Sequence, residues 1–159
     1  MAQEDRLLAL DQGTSSTRAL IFERSGALVD VVQRDFDGSY PADGWVEHDP
    51  SVLWQTSLEV MRAAIERAGG AQRIAAIGIT NQRETTLLWD RATSEPVYPA
   101  IVWQDRRTHD ECERMRAEGV EGMLQHRTGL LIDKAIRDLG YAPHSFDEGI
   151  ALLASQMSG

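Results

Sequence analysis

The amino-acid sequence predicts an α/β fold with its elements in the order βββαβ, and three observations support this. Three short apolar runs open the chain and are separated by turn-forming residues. A segment with apolar residues at helical spacing follows, and its start carries helix-capping residues. Residues 74–80 (IAAIGIT) then form a nearly uninterrupted apolar run, which is typical of a strand covered on both faces.

The first three strands are expected to form an antiparallel meander. Residues 7–10 make the first apolar run, residues 18–23 the second and residues 28–36 the third. Glycines and short polar residues fill the two connections, where they favour tight turns. Residues 37–48 are rich in Gly, Pro and Asp, and are therefore predicted to be a loop.

A helix is predicted to begin at Pro50. Asp49 suits the N-cap position, Pro50 suits the first helical position, and the two glycines at 69–70 end the helix. Its apolar residues recur at spacings of three and four, so this face is expected to pack on the sheet. The face consists of Trp54, Leu58, Met61, Ile65 and Ala68.

The remaining elements complete the predicted order. Residues 74–80 are predicted to be a central strand with helices over both faces. Residues 85–90 are predicted to be another strand, residues 95–103 an extended segment weakened by two prolines, and residues 107–118 a charged surface helix. The order βββαβ is compatible with the actin-like (ribonuclease H-like) α/β fold, although element order alone does not define a fold.

The composition excludes several partners and locations. The 159 residues carry a formal net charge of −9, and nucleic acid and anionic membranes both require a basic surface, so neither is an expected partner. The polar first residues do not resemble a signal peptide, and no apolar run reaches the roughly 18 residues that span a bilayer. A single cysteine, Cys112, excludes an internal disulfide and fits a reducing compartment. We therefore expect a cytoplasmic protein.

The sequence also lacks the usual lysine-based and glycine-rich nucleotide motifs. Its 16 basic residues are fifteen arginines and one lysine, Lys134, and neither G-x-x-x-x-G-K-[ST] nor G-x-G-x-x-G occurs. The four histidines are widely separated and show no metal-ligand spacing. Phosphate binding by this chain would therefore depend on arginines, hydroxyls, backbone amides and a metal ion.

The connection after the first strand is a candidate phosphate site. A tight turn exposes several backbone N–H groups in one direction, and Gly13 allows close approach by a bulky anion. The neighbouring side chains offer hydroxyls, a guanidinium and a carboxylate suited to Mg²⁺. These residues are Thr14, Ser15, Ser16, Arg18 and Asp11. The alternative is an ordinary hairpin turn that binds no ligand.

A second candidate site directly follows the apolar strand at 74–80. Ligand-binding groups in open α/β sheets collect at the carboxyl ends of strands, and Arg83 and Glu84 lie at such an end. A guanidinium beside a carboxylate offers hydrogen-bond donors and acceptors together, which suits a polyol. Trp103 could cover the carbon chain of that polyol. The alternative is a surface ion pair between Arg83 and Glu84.

Five stretches together resemble the FGGY carbohydrate kinases, and among them the glycerol kinases. They occur in the family's order and spacing: residues 9–18 (ALDQGTSSTR), 44–50 (GWVEHDP), 77–90 (IGITNQRETTLLWD), 100–108 (AIVWQDRRT) and 128–133 (TGLLID). The Asn-Gln-Arg-Glu sequence in the third stretch resembles members that act on glycerol rather than on pentuloses or gluconate. The resemblance implies the actin-like fold.

The resemblance also implies an activity and roles for particular residues. The family reaction transfers the γ-phosphoryl group of ATP to a terminal hydroxyl of glycerol, so ATP, Mg²⁺ and glycerol are the expected ligands. Four residues match positions that bind the ATP phosphates: Thr14, Ser15, Ser16 and Arg18. Asp11 matches the carboxylate near Mg²⁺. Arg83 and Glu84 match positions that hold glycerol hydroxyls, and Trp103 matches a residue on the apolar side of glycerol.

The sequence departs from this family after Asp133. The family continues with Pro-Tyr-Phe, whereas this chain continues with Lys134, and the family's Gly-Asp-Gln segment with its general-base Asp does not occur. We therefore assign no catalytic residue and expect residues 1–133 to be an incomplete kinase domain that is inactive in this form. Residues 134–159 are interpreted as an unrelated helical tail, since Ser145 and Glu148 form a capping-box pattern.

Two alternatives remain open at the level of the sequence. The chain could be a non-catalytic remnant that binds phosphate or polyol, or it could be the product of a gene fusion or truncation. The tail faintly resembles the C-terminal end of sugar-nucleotide epimerases, which favours a join between two coding segments. Self-association into a homo-oligomer is expected if a face of the sheet stays uncovered.

Overall fold

The computed structural model describes residues 5–129, and these begin with an antiparallel meander. Strands β1 (Arg6–Gln12), β2 (Ser16–Glu23) and β3 (Leu28–Asp35) follow each other along the chain. Ala19 of β2 lies opposite Leu10 of β1 and Val32 of β3, so these three side chains point to the same face. The predicted meander is confirmed, and its first turn lies at the end of β1.

A short strand and a long helix follow the meander. Strand β4 (Glu47–His48) leads into helix α1 (Pro50–Arg67), whose N-cap is Asp49. The Asp49 carboxylate accepts a 2.8 Å hydrogen bond from the backbone N–H of Ser51, so the predicted capping is confirmed. The helix ends before Gly69 and Gly70, which have φ values of 95° and 109°, as the sequence predicts.

The buried face of α1 differs from the predicted one by a single residue position. Trp54, the first residue of the predicted face, is 64% exposed, while the partly buried Met61 and Ile65 lie at the margin of the core. The residues that α1 buries are Leu53, Ser57, Val60 and Ala64. Ser57 is tolerated there because its hydroxyl donates a 2.7 Å hydrogen bond to the Leu53 carbonyl within the helix.

The main core lies between α1 and one face of the meander. Its buried residues come from all three strands and the helix: Leu8, Leu10, Ala19, Ile21, Val32, Val60 and Ala64. Burying this surface stabilises the domain by about 25 cal/mol for each Å² of apolar area. The core therefore holds β1 and β2 rigidly and fixes the ends of the strands that carry the candidate site.

Strand β5 (Ile74–Thr80) follows a single 3₁₀ turn, Ala71–Arg73, and pairs with β1 in parallel. The sheet order is β3-β2-β1-β5, so β5 is an edge strand among the described residues. The prediction of a central strand buried on both faces is therefore wrong for residues 5–129. Ile77 and Ile79 are 51% and 72% exposed, because α1 packs over the meander and leaves β5 uncovered.

Residues 85–103 form an irregular ribbon, which corrects the prediction of a strand at 85–90. Isolated bridges join Thr86 to Ile101 and Trp89 to Pro96, and the only strand in this region is β6 (Ala100–Ile101). A tight turn follows Asp90, whose carboxylate accepts hydrogen bonds from the backbone N–H groups of Ala92 and Thr93. These bonds also lower the pKa of Asp90 below its usual value. The predicted extended segment is confirmed only over β6, which pairs antiparallel with β4.

The chain divides into two compact units between Asp105 and Arg106. The described part of the second unit contains α2 (His109–Ala117) and α3 (Glu121–Thr128). Helix α2 confirms the helix predicted at 107–118 with slightly shorter bounds, whereas α3 was not predicted. On α2, Arg114 forms ion pairs with Glu111 and Glu118, which raise the pKa of the Arg114 guanidinium above its usual value.

The mixed sheet and the three α-helices of the described part of the chain confirm the α/β class. Among residues 5–129, no helix is both long enough and apolar enough to cross a membrane. The predicted helical tail at 134–159 and the predicted domain boundary after residue 133 lie outside the described residues.

Candidate functional site

The turn between β1 and β2 is narrow and leaves little room for a side chain at position 13. The backbone N–H of Gly13 donates a 2.9 Å hydrogen bond to the Ser16 carbonyl, which closes the turn. A Cβ atom at position 13 would lie 3.0 Å from that same carbonyl oxygen, so a larger residue would force the turn to shift. On the other side, the N–H of Phe36 donates to the Ser15 carbonyl at 3.1 Å. The turn is therefore held from two directions.

The hydroxyl-bearing residues of this turn differ in accessibility. Ser15 is exposed, and Thr14 and Ser16 are half-buried, so all three can meet a ligand. Thr17 is fully buried, and its hydroxyl lies 3.2 Å from that of Thr56 on α1. Thr17 therefore anchors β2 to the helix, whereas the three residues before it form the accessible part of the turn.

Asp11 and Arg18 form an ion pair beside the turn. They lie opposite each other in the β1–β2 register, and Nη2 of Arg18 donates to Oδ2 of Asp11 at 2.6 Å. The Arg18 and Asp11 side chains are 45% and 30% exposed, and exposed pairs of this kind contribute about 0–1 kcal/mol. Neither charge is committed to the core, so both are available to a ligand.

The residues that follow β5, which we call the β5 exit segment (residues 81–85), lie next to the turn. Arg83 is exposed and Glu84 is half-buried. Neither of them forms an ion pair with a residue of the 5–129 region, so the alternative of a surface Arg83–Glu84 pair is wrong. Glu84 has a φ of 66°, a left-handed conformation that costs about 1–3 kcal/mol for a residue other than glycine. Strain of this kind clusters at functional sites.

Trp103 joins the two candidate sites. Its indole Nε1–H donates a 2.9 Å hydrogen bond to the Thr14 hydroxyl, although the two residues are 89 positions apart. Its backbone N–H donates to the Thr85 hydroxyl at 3.3 Å. The turn and the β5 exit segment thus meet Trp103 at one end of the sheet, through Thr14 and Thr85 respectively.

Three buried or half-buried polar residues at this site were missed by sequence reasoning: Gln82, His48 and Thr85. Gln82 is only 7% exposed and donates a 2.8 Å hydrogen bond from Nε2 to the Gly13 carbonyl. Nδ1 of His48 lies 3.4 Å from the same amide nitrogen. The Thr85 hydroxyl donates to Oε1 of Gln82 at 3.1 Å. The one available signal was the position of Gln82 at the carboxyl end of an apolar strand.

The electrostatics of the site favour a neutral His48. Burial lowers the pKa of His48 below its usual value, because desolvation penalises the imidazolium form. The His48 ring is also packed edge-on against Phe36, with ring centroids 5.2 Å apart. Within residues 5–129, no three His, Cys, Asp or Glu side chains cluster to hold a metal ion. Beside the β1–β2 turn, Asp11 offers one carboxylate, and its side chain is 30% exposed.

Solved structures show the same fold. The structure is similar to Plasmodium falciparum glycerol kinase with ADP, with a TM-score of 0.73 and 30% identity over 81% of this chain and 26% of that one. It also resembles gluconate kinase from Lactobacillus acidophilus, with a TM-score of 0.75 and 19% identity over 82% and 26% of the two chains. The second similarity concerns the fold alone. The predicted actin-like α/β class is confirmed.

The sequence comparisons define the family. Residues 6–136 match the N-terminal domain of the FGGY family of carbohydrate kinases, and this chain belongs to that family. Among similar proteins is a glycerol kinase from Ralstonia nicotianae, 58% identical over 128 residues, which are 80% of this chain. A glycerol kinase from Burkholderia cenocepacia is 53% identical over 132 residues, which are 82% of this chain.

The similarity covers only part of each relative. The chain spans 26% of the length of both of these glycerol kinases. The matched domain contains the β1–β2 turn, the β5 exit segment and Trp103. The recognised resemblance to FGGY kinases, and to glycerol kinases among them, is thereby confirmed for the N-terminal portion.

Proposed function

We propose that this chain supplies the phosphate and polyol contacts of a glycerol kinase, which transfers the γ-phosphoryl group of ATP to a terminal hydroxyl of glycerol. The observation that carries the proposal is the 2.9 Å hydrogen bond from Trp103 to Thr14, which joins the candidate polyol site to the candidate phosphate site. Phosphoryl transfer depends mainly on holding donor and acceptor in line. The identity of 58% and 53% to proteins named glycerol kinase supports glycerol as the acceptor.

The β1–β2 turn is suited to bind the phosphates of ATP. Successive backbone N–H groups and the hydroxyls of Ser15 and Ser16 offer hydrogen-bond donors to an anion. The Thr14 hydroxyl accepts the indole proton of Trp103, so its own hydrogen is free for a phosphate oxygen. Arg18 adds a planar guanidinium, which binds phosphate oxygens in a forked arrangement.

Asp11 fits the role of the carboxylate near Mg²⁺. Mg²⁺ keeps several waters and takes one or two carboxylates together with substrate phosphates, so an isolated carboxylate is sufficient. Arg18 occupies Oδ2 of Asp11 and leaves Oδ1 available. When bound, Mg²⁺ would supply the positive charge that offsets the phosphates.

The β5 exit segment and Trp103 are suited to bind glycerol. Arg83 donates and Glu84 accepts, so together they satisfy hydroxyl groups that need both kinds of partner. Glu84 follows the carboxyl end of β5 and has a left-handed backbone conformation, and strain of this kind clusters at ligand-binding sites. Trp103 offers an apolar ring to the carbon chain. We assign these residues to binding and orienting glycerol. We assign none of them to removing the proton from the acceptor hydroxyl.

A second candidate function is binding of phosphate or polyol without turnover. It is supported by the described site, in which residues are assigned to ligand binding and none to removal of the acceptor proton. We also propose a cytoplasmic location, which the single cysteine of the sequence, Cys112, supports.

Separate titrations of the ¹⁵N-labelled chain with Mg-ADP and with glycerol test the proposal. Mg-ADP is expected to shift the amide signals of Gly13 to Arg18, and Arg18→Ala is expected to abolish these shifts. Arg24→Ala is the matched control, since Arg24 is exposed in the β2–β3 turn. Nucleotide shifts that persist in Arg18→Ala, or tight glycerol binding without nucleotide, would contradict the proposed division of roles.

A further inference from the structure

We propose that Gln82 is a positioning residue that fixes the β1–β2 turn against the β5 exit segment, and thereby sets the separation between bound phosphate and bound polyol. This inference rests on the proposed function. Gln82 is buried, lies directly before Arg83 and Glu84, and contacts the turn through its side chain. Because its side chain is buried, we assign it no direct ligand contact, and it acts through the residues that have one.

The hydrogen bonds define the orientation of the Gln82 amide. The Gly13 carbonyl can only accept, so the side-chain atom 2.8 Å from it must be the NH₂ group. The opposite atom, Oε1, then accepts the Thr85 hydroxyl at 3.1 Å. The amide therefore spans from the turn to the end of the β5 exit segment and cannot flip without losing its bond to the Gly13 carbonyl.

His48 is the third partner of this amide. The NH₂ group of Gln82 is only a donor, so Nδ1 of His48, 3.4 Å away, must be an acceptor. The ring proton of neutral His48 is therefore on Nε2. His48 lies in β4, so the contact connects a third segment of the chain to the same buried amide.

The arrangement explains how residues far apart in sequence keep a fixed geometry. Gly13 and Gln82 are 69 positions apart. Parallel pairing of β1 with β5 brings the strand ends together, but backbone pairing stops at Asp11 and Thr80. Beyond those residues, the Gln82 side chain forms the direct link between the turn and the exit segment. Loss of a link of this kind in a closely positioned site changes ligand affinity by about tenfold.

The test compares Gln82→Met, which keeps the length of the side chain and removes its hydrogen bonds, with the wild type and with Gln55→Met. Gln55 is exposed on α1 and provides a matched control. Without ligand, Gln82→Met is expected to shift the amide signals of the turn and of Arg83 and Glu84, and to leave His48 in a mixture of two ring tautomers. Unchanged turn signals and an unchanged Nε2–H tautomer would overturn the proposal.

Ligand binding gives the second readout. The dissociation constant for Mg-ADP is expected to rise about tenfold in Gln82→Met and to stay constant in Gln55→Met. A merely structural role would lower the melting temperature and leave this constant unchanged, which would also overturn the proposal. Absence of Mg-ADP binding by the wild type would overturn the proposed function instead, while the ligand-free spectra would still decide the role of Gln82.

A second variant protects the test against misfolding. Gln82→Asn keeps the amide but is one methylene shorter, so it cannot reach the Gly13 carbonyl and the Thr85 hydroxyl together. We expect the same shifts in the turn and the same mixed His48 tautomers. A folded Gln82→Asn protein with a wild-type turn would overturn the inference.

Discussion

The indole N–H of Trp103 donates a hydrogen bond to the hydroxyl of Thr14, with 2.9 Å between nitrogen and oxygen. An indole N–H can only donate, so the Thr14 oxygen is the acceptor and its proton stays available to another partner. The bond therefore positions the aromatic ring and orients the hydroxyl at the same time. Perturbing either residue is expected to affect both parts of the site.

Trp103→Phe is expected to lower the free energy of unfolding by about 1 kcal/mol, because it removes the donor to Thr14. Trp54→Phe provides the control, since Trp54 is 64% exposed and such substitutions usually change stability by less than about 0.5 kcal/mol. Urea unfolding of Trp103→Phe, Thr14→Val and the double variant gives their coupling energy. A coupling near zero would show that the bond adds nothing to stability.

Gly13→Ala is expected to destabilise the protein by about 1–3 kcal/mol, since the added Cβ would lie 3.0 Å from a backbone carbonyl oxygen that cannot move freely. Gly122→Ala is the matched substitution in α3, where a Cβ meets no atom within 4 Å. There alanine is expected to stabilise by about 0.5–1 kcal/mol, because glycine is a poor helix former. Thermal unfolding measures the change in stability for both substitutions. Equal changes in stability would contradict the crowding at Gly13.

His48 is expected to make stability fall in mildly acidic solution. Burial lowers its pKa from the ordinary value of 6.5, so below that pH the unfolded state binds more protons than the folded state. The contribution is fully present above 6.5 and is lost as the pH falls toward the folded pKa. Urea unfolding between about pH 7 and about pH 5 measures this loss. The loss of stability at low pH should be smaller in His48→Gln. It should be unchanged in His109→Gln, whose side chain is exposed.

The purified 159-residue polypeptide is expected to show no glycerol kinase turnover. No general base is assigned among its residues, and such a group contributes about 10²- to 10⁴-fold to the rate. The positioning that dominates phosphoryl transfer is also incomplete in a chain that covers 26% of the related kinases. A coupled assay for ADP release with glycerol and Mg-ATP measures this. Glycerol-dependent activity above that of a boiled sample would contradict the expectation.

Strand β5, an edge strand among the described residues, is expected to bind apolar dyes and to promote association. Ile77 and Ile79 are 51% and 72% exposed, and the strand carries no charge or proline that would discourage pairing with another chain. Replacing both with threonine is expected to reduce ANS fluorescence and light scattering with little loss of stability. Val97→Thr, in the ribbon outside the sheet, serves as the comparison. Equal dye binding by both variants would place the apolar surface elsewhere.

Local signals in the sequence were sufficient for the helix ends and the turns. Asp49 and Pro50 define the start of α1 through contacts within one helical turn, so no distant residue was needed to predict it. The predicted buried face of the same helix was wrong by one position, because apolar residues form two adjacent stripes along it. In addition, the Ser57 hydroxyl bonds to a carbonyl of the helix itself, so a polar residue is accepted on the buried face. Only the position of α1 over the meander selects between the stripes.

The sequence predicted the segments of the site one by one, but it did not predict the contacts between them. Asp11, the turn and the β5 exit segment each have a recognisable composition at a strand end. The roles of Gln82 and His48 depend on bonds that span 69 and 34 positions, which periodicity and spacing do not encode. The exposure of β5 was missed for a related reason, since an apolar run specifies a strand but not its neighbours.

The parallel pairing of β1 with β5 also implies an order of folding. The meander closes through short turns, whereas β5 must return across the loop and α1 before it can join β1. Closing a long loop is slower than forming adjacent hairpins, because its entropic cost precedes the contacts that repay it. The β1–β2 turn is therefore expected to form early, and the Gln82 amide reaches Gly13 only when β5 pairs with β1. We therefore expect the proposed nucleotide-binding half to form before the half that would receive the phosphate.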